Sequence, residues 1–119
     1  MADIGLSIRL DLTSRDSIGP GKIALLESIR SEGSISAAAR HLGMSYRRAW
    51  LLVEQINNSL SEPAVTAATG GASGGGAALT PVGEQVIDLY RTIESLTRSS
   101  ANGEFRALRK LIRRGKPAS

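Results

Sequence analysis

The sequence lacks cysteine and has a single histidine and very few aromatic residues. Without cysteine, the chain forms no disulfide, no thiolate metal site and no cysteine nucleophile. The lone His41 has no suitable second ligand near it in the sequence, so we predict no metal site. Aromatic residues make up 3%, so the core must consist of leucine, isoleucine, valine and alanine, which suits closely packed helices. The acidic residues are scattered rather than paired, and we expect no enzymatic activity.

Long hydrophobic runs are also missing. No apolar stretch approaches the roughly 20 residues of a membrane span, and Asp3 and Arg9 interrupt the region where a secretory signal would be apolar. We therefore expect a cytoplasmic protein that has no membrane partner.

What the chain does have is positive charge: 15 basic against 11 acidic residues give a net charge of +4. This balance is compatible with a polyanionic partner.

Residues 33–60 have the pattern of a helix-turn-helix. Ser34 is placed to cap a short helix, and Ser45 is placed to cap a longer one. Gly43 lies between them, where a turn often requires a positive φ. The longer helix has apolar residues at helical spacing: Ala49, Leu52, Val53, Ile56 and Leu60.

Other elements flank this motif. Residues 4–12 alternate between apolar and polar, which predicts a half-buried strand that needs a partner in this chain or a second one. A first helix is predicted from about Gly19–Pro20 to Ser31. After Pro63, two β-competent runs enclose the glycine loop Gly70–Gly76, which predicts a β-hairpin in the position of a wing.

The C-terminal part is predicted to be helical. Thr80 and Pro81 are suited to begin a helix, whose apolar residues step by four and three like a coiled-coil seam. Glu104–Arg114 is predicted as a further helix with one apolar and one basic side. The seam residues are Val82, Val86, Leu89, Ile93 and Leu96.

The N-terminal turn of the longer helix is the predicted DNA-reading element. In winged helix-turn-helix proteins this turn enters the major groove, where arginine can bond guanine with two hydrogen bonds. Hydroxyls and free helix N–H groups suit phosphate oxygens. Trp50 can face DNA together with Tyr46, or it can anchor this helix against the first helix or the wing; we predict that it packs, with its N–H near the surface. The predicted DNA-binding residues are Ser34, Ser36, Ser45, Tyr46, Arg47, Arg48, Thr69, Gly70, Gly71, Ser73, Gly74 and Gly75.

Three alternatives stand beside this prediction. The arginines can be ordinary surface residues at an exposed helix start, and the wing tip can contact nothing. The fold can also serve as a protein-interaction module that does not contact DNA. A nucleotide-dependent enzyme is disfavoured, because a phosphate-binding loop needs a lysine and a following helix, whereas Gly70–Gly76 has no lysine and is followed by a predicted strand.

These motifs resemble the N-terminal DNA-binding domain of the ModE family, the molybdenum-dependent transcriptional regulators of bacteria. The resemblance covers about residues 4–97 and is strongest over 33–57 and 68–90, including the element SYRRAW at 45–50. LysR-type regulators share parts of the pattern and are the second-ranked alternative, although they usually begin directly with the first helix. The predicted fold is mainly α with a small β-hairpin: a winged helix-turn-helix with an N-terminal strand and a long C-terminal dimerisation helix. We predict this domain over 1–98 and a short basic helix and tail over 99–119.

The resemblance implies a homodimer on double-stranded DNA with a pseudo-palindromic operator, its two reading helices about 34–36 Å apart. The regulated genes would concern molybdate uptake. Full-length ModE regulators carry molybdate-binding modules after this region, and the sequence ends before one would fit. We therefore expect no cofactor and no direct molybdate sensing by this chain. The implied dimer interface contains Ile4, Leu6, Ile8, Leu10, Val86, Leu89, Ile93 and Leu96.

Overall fold

The structure is a computed structural model that describes residues 4–68 and 75–113. Within these residues, five helices and two antiparallel strand pairs confirm a mainly α fold with a small β-hairpin. The elements are β1 (Leu10–Asp11), β2 (Ser17–Ile18), α1 (Pro20–Glu32), α2 (Ile35–Leu42), α3 (Tyr46–Ser59), β3 (Val65–Ala68), β4 (Gly76–Leu79), α4 (Pro81–Ser100) and α5 (Asn102–Leu111).

The predicted N-terminal strand is shorter than expected. Only β1 pairs, and its partner is β2 of the same chain, with Leu10 opposite Ile18. The alternation between half-buried and exposed residues holds as far as Leu10 and ends at Leu12, which is 40% exposed. The prediction of a strand over 4–12 is therefore correct in its alternation and wrong in its bounds.

The segment before β1 is attached to α4 instead of to another strand. The Tyr90 hydroxyl donates to the Ile8 carbonyl at 2.7 Å, and the Arg98 guanidinium donates to the Ile4 carbonyl at 3.1 Å. Tyr90 is almost completely buried, and this burial raises the pKa of its phenol. The N-terminal segment thus gains its backbone partners from helix side chains, which the alternating pattern does not predict.

Three hydroxyl caps fix where the helices begin, as the sequence predicts. Ser34 Oγ accepts from the Ala37 N–H at 3.0 Å, and Ser45 Oγ accepts from the Arg48 N–H at 3.1 Å. The helix ends are equally well defined, because Gly33 and Gly43 adopt φ of 80° and 70°, which glycine accepts without steric cost. The third cap is Thr80, whose Oγ1 accepts from the Gly83 N–H at 3.1 Å.

Helix α1 lies at the centre of the domain. It packs against α2, α3, α4 and β4, and four of its apolar side chains are fully buried. Burial of a large aliphatic side chain contributes about 1.5–3 kcal/mol, so this helix supplies much of the hydrophobic stabilisation. The buried apolar residues are Ile18, Ile23, Leu25, Leu26, Ile29, Ala38, Ala39, Ala49, Val53, Ile56, Ala64, Val65, Ala77, Ile87 and Tyr90.

Strands β3 and β4 form the wing, and they are antiparallel with Val65 opposite Leu79 and Ala68 opposite Gly76. The base of the wing is joined to the helix-turn-helix, because the Ala77 N–H donates to the Gly33 carbonyl at 2.9 Å. The predicted wing tip, residues 69–74, lies outside the described residues.

Helix α4 has two different sides. One side contributes buried residues to the core, and the other exposes a row of large apolar side chains.

Two ion pairs connect α4 to α1: Arg91 with Glu27 at 2.7 Å, and Arg30 with Glu84 at 2.8 Å. The hydrogen bonds from Arg91 lower the pKa of the Glu27 carboxyl. The structure is elongated, with principal extents of 53 × 30 × 22 Å.

Candidate nucleic-acid interface

The N-terminal turn of α3 is fully accessible. Ser45, Tyr46, Arg47 and Arg48 are all exposed, and the first turn of α3 contains no acidic residue. Because Ser45 Oγ accepts from the helix backbone, its own O–H remains available to donate. The turn therefore presents two guanidinium groups, two hydroxyls and the positive end of the helix dipole to one ligand.

Small side chains bring α2 and α3 close together. Ala38 and Ala39 of α2 and Ala49 of α3 are buried with almost no exposed surface. Alanine allows the two backbones to approach, so α3 is held firmly by one side while its opposite side faces outward. This is the arrangement that a helix entering a DNA groove requires.

The predicted residues of α2 lie beside the base of the wing. Ser34 follows Gly33 directly, and the Gly33 carbonyl accepts from the N–H of Ala77 in β4. Ser34 and Ser36 are half-buried, with their hydroxyl oxygens 3.5 Å apart, and Gly75 is exposed just before β4. The structure thus brings these predicted residues to one edge. The other predicted wing residues, Thr69, Gly70, Gly71, Ser73 and Gly74, lie outside the described part of the chain.

Asn57 is a residue that the sequence analysis missed. Its amide oxygen accepts from the N–H groups of Ala64 at 2.8 Å and Val65 at 3.1 Å, and its amide nitrogen donates to the Val65 carbonyl at 3.1 Å. Three hydrogen bonds from one side chain therefore attach the start of β3 to α3. Helical spacing places Asn57 four residues after the buried Val53, at the edge of the apolar stripe, and Asn58 on the exposed side. The partners of Asn57 lie beyond α3, so the sequence does not identify them.

Trp50, which is predicted to pack against another helix or the wing with its N–H near the surface, lies partly exposed. Its side chain is 45% exposed and does not belong to the buried core. The physical reason is that Ala49, Val53 and Ile56 already fill the space between α3 and its neighbours, and Trp50 lies about 100° around the helix from Ala49.

The residues predicted for dimerisation fall into two groups. Leu89, Ile93 and Leu96 are 55%, 39% and 64% exposed on α4, which is unusual for large apolar side chains in a row. The remaining members are partly covered by this chain itself. Ile8, Leu10 and Val86 pack against the core, and Ile4 and Leu6 are half-buried.

Across 4–68 and 75–113, no three histidine, aspartate or glutamate side chains come together in a group that could hold a metal ion. In the same ranges, no helix has the length and apolar character needed to cross a membrane.

Comparison with known proteins gives a consistent group of relatives, although no protein-family model matches the chain. The chain is 54% identical over 78 residues to the molybdenum-pterin-binding protein MopB of Rhodobacter capsulatus, which is 66% of this chain and 29% of that protein. It is 42% identical over 89 residues to the transcriptional regulator ModE of Yersinia pestis, covering 75% of this chain and 34% of the relative.

A third relative is described as a DNA-binding transcriptional dual regulator, ModE of Escherichia coli K12. It is 40% identical over 83 residues, which is 70% of this chain and 32% of the regulator. The chain thus matches about a third of the length of these relatives, which are regulators or molybdenum-pterin-binding proteins. Over the matched part, the chain is a ModE-type domain.

Proposed function

We propose that this chain is a sequence-specific, DNA-binding transcriptional regulator of ModE type, which acts as a homodimer on genes of molybdenum metabolism. The observation that carries the proposal is the exposed N-terminal turn of α3, with Arg47 and Arg48 beside a capping serine and no acidic residue. The names of the relatives supply the molybdenum connection.

The electrostatics of the turn favour a phosphate-bearing partner. Arginine donates through a planar group that matches both phosphate oxygens and the edge of guanine. Arg47 and Arg48 are adjacent, so they point in directions about 100° apart on the helix. One can reach base edges while the other reaches the backbone, which is the usual division between specificity and positioning in DNA complexes.

We expect Arg47→Ala or Arg48→Ala, whichever arginine reads a base, to weaken binding to a specific duplex by about 1–3 kcal/mol, because the two-bond contact of that arginine with guanine is lost. The specific duplex is the sequence that the unmodified protein enriches from a random pool, and affinity is measured by mobility shift on this duplex and on a scrambled one. Failure to enrich any sequence would refute sequence-specific reading.

A matched control for this experiment is Arg15→Ala, since Arg15 is also exposed but lies in the turn between β1 and β2. It should leave the affinity nearly unchanged. If Arg47→Ala and Arg48→Ala both weaken specific and scrambled duplexes equally, the two arginines contact only phosphates, and reading of bases by this turn is contradicted.

The homodimer is proposed from the exposed side of α4. Leu89 and Leu96 expose more than half of their surface, and they lie seven residues apart, on the same face of the helix. In a symmetric dimer the same leucine is buried in both subunits, so one substitution removes two buried side chains. Two such helices crossing at this face would place two α3 helices on one operator.

We expect Leu89→Glu to raise the dimer dissociation constant by about two orders of magnitude or more, because two buried leucines, each contributing about 1.5–3 kcal/mol, are replaced by charges. Sedimentation velocity without DNA measures the mass at each protein concentration. The control is Leu51→Glu on the outer face of α3, which is 43% exposed and should leave the mass unchanged. A Leu89→Glu protein with unaltered dimer affinity would exclude this face.

A further inference from the structure

The exposed side of α3 contains an aromatic pair on a defined flank. Tyr46, Trp50 and Asn57 follow each other at intervals of four and seven residues, which places them on one face of the helix. Asn57 is hydrogen-bonded to Ala64 and Val65 at the start of the wing. The aromatic pair therefore lies on the wing-side flank of α3, toward its N-terminal end.

The pair is accessible in the single chain. Tyr46 is 56% exposed and Trp50 is 45% exposed, and both are outside the buried core. Trp50 is also the only tryptophan of the chain. Aromatic side chains bury large areas and dominate the energetics of interfaces, so an exposed aromatic pair on a helix that is packed without it is suited to contact a ligand.

The surroundings of the pair identify the ligand as duplex DNA. Arg47 and Arg48 lie between Tyr46 and Trp50 in the sequence, and the first turn of α3 has no acidic residue. At the N-terminal end of the pair, a partner that presents negative charge next to apolar surface fits best, although the exposed Glu54 lies one turn after Trp50. DNA has both, since the groove edge combines phosphates with deoxyribose carbons and the C5-methyl groups of thymine.

We propose that Trp50, together with Tyr46, is a DNA-contacting residue that covers apolar groups at the groove edge between the reading helix and the wing. The contacted groups are thymine methyls or deoxyribose carbons. This inference rests on the proposed DNA-binding function, and it adds a contact that the arginines cannot make, because guanidinium groups recognise oxygen and nitrogen acceptors.

Fluorescence tests the contact directly, because all tryptophan emission comes from residue 50. The protein is titrated with the duplex that it enriches from a random pool. We expect the Stern–Volmer constant for acrylamide quenching to fall by a factor of about two or more at saturation, because the duplex covers the indole. Duplex binding with unchanged acrylamide access would overturn the inference while leaving the proposed function intact. Absence of any duplex binding would instead contradict the proposed function.

Substitutions provide an independent arm. Trp50→Ala should weaken specific binding by about tenfold, whereas Trp50→Phe, which retains an aromatic ring, should retain most of the affinity. The control is Leu12→Ala, which removes a side chain that is 40% exposed in the β1–β2 hairpin and should not affect binding. Thermal unfolding of each variant establishes that it is folded. A folded Trp50→Ala protein that binds as tightly as the original would contradict the contact.

Replacing thymine with uracil in the same duplex removes only the methyl group. This change distinguishes a contact with thymine methyls from a contact with deoxyribose. If Trp50 covers a methyl, the unmodified protein loses affinity on the uracil duplex and Trp50→Ala does not. If it covers deoxyribose, both proteins bind the two duplexes alike, and the difference between the proteins remains.

Discussion

Replacing Asn57 by alanine is expected to lower the free energy of unfolding by about 3 kcal/mol. The substitution removes three hydrogen bonds, and each contributes about 0.5–1.5 kcal/mol net. Their partners belong to Ala64, which is fully buried, and Val65, which is 5% exposed. Two N–H groups and a carbonyl would then be left without partners away from water, and each such group costs about 1–3 kcal/mol. Denaturant unfolding monitored by circular dichroism measures the change.

Asn58→Ala is a control for the same experiment. Asn58 is the next residue of α3 and is exposed, so the substitution has the same small effect on helix propensity without removing a described wing contact. We expect its unfolding free energy to stay within about 0.5 kcal/mol of the original. If Asn57→Ala and Asn58→Ala unfold at the same denaturant concentration, the attachment of the wing by Asn57 contributes nothing measurable.

The Asn57 attachment also connects stability to the proposed function. The side chain leaves α3 from the flank that carries Trp50 and holds the start of β3. On the other side of the wing, β4 is held by the Gly33 carbonyl just before Ser34. The wing is thus fixed to both ends of the helix-turn-helix, so its position relative to the reading turn is set before any duplex is bound. Such preorganisation reduces the conformational entropy lost on binding.

Local signals in the sequence were sufficient to place most of the helix boundaries. Ser34, Ser45 and Thr80 are caps because a serine or threonine immediately precedes a periodic apolar run. Gly43 adopts a positive φ because the chain must turn sharply between two helices. These features depend on residues within four positions of each other, so a single sequence contains all the information that they need.

Features that depend on distant residues could not be predicted in the same way. The predicted strand over 4–12 pairs only near its C-terminal end, because the backbone before Leu10 is hydrogen-bonded to Tyr90 and Arg98, more than 80 residues away. Trp50 adjoins the apolar stripe, which favours packing in the sequence, and only the packed structure shows that the buried core is complete without it. The spacing of Asn57 from Val53 places it beside the apolar stripe, but its partners Ala64 and Val65 are known only from the packed structure.

Helix α1 explains how the two functional surfaces stay in a fixed relation. Its C-terminal glycine binds the wing through the Gly33 carbonyl, while Glu27 and Arg30 pair with α4. These ion pairs are partly exposed, and exposed pairs contribute little free energy. Their role is better understood as orientation, because two pairs one turn apart on α1 allow little rotation of α4. The proposed reading turn and the proposed dimer face are therefore parts of one rigid arrangement.

Gly83 marks the point where α4 meets the wing most closely. A methyl group at this position would overlap the Ala64 carbonyl oxygen and lie 3.1 Å from the Ala64 carbonyl carbon. The same oxygen accepts from the Thr80 N–H at 2.9 Å, and Thr80 in turn caps α4 and donates through its hydroxyl to the Pro63 carbonyl at 2.7 Å. The contact is with backbone, so no flexible side chain can move to make room.

Gly83→Ala is accordingly expected to destabilise the fold by about 3 kcal/mol, the upper end of the usual cost of overpacking, and to lower the melting temperature by roughly 10 °C. Alanine favours helices over glycine by about 1 kcal/mol, so the sign of the effect is opposite to what helix propensity alone predicts. Gly21→Ala is the matched control: Gly21 also lies in the first turn of a helix, but a methyl group there would meet nothing within 4 Å. It should leave the melting temperature unchanged or raise it. If both substitutions raise it, α4 can move away from Ala64 without loss, and the close contact does not hold the helix in place.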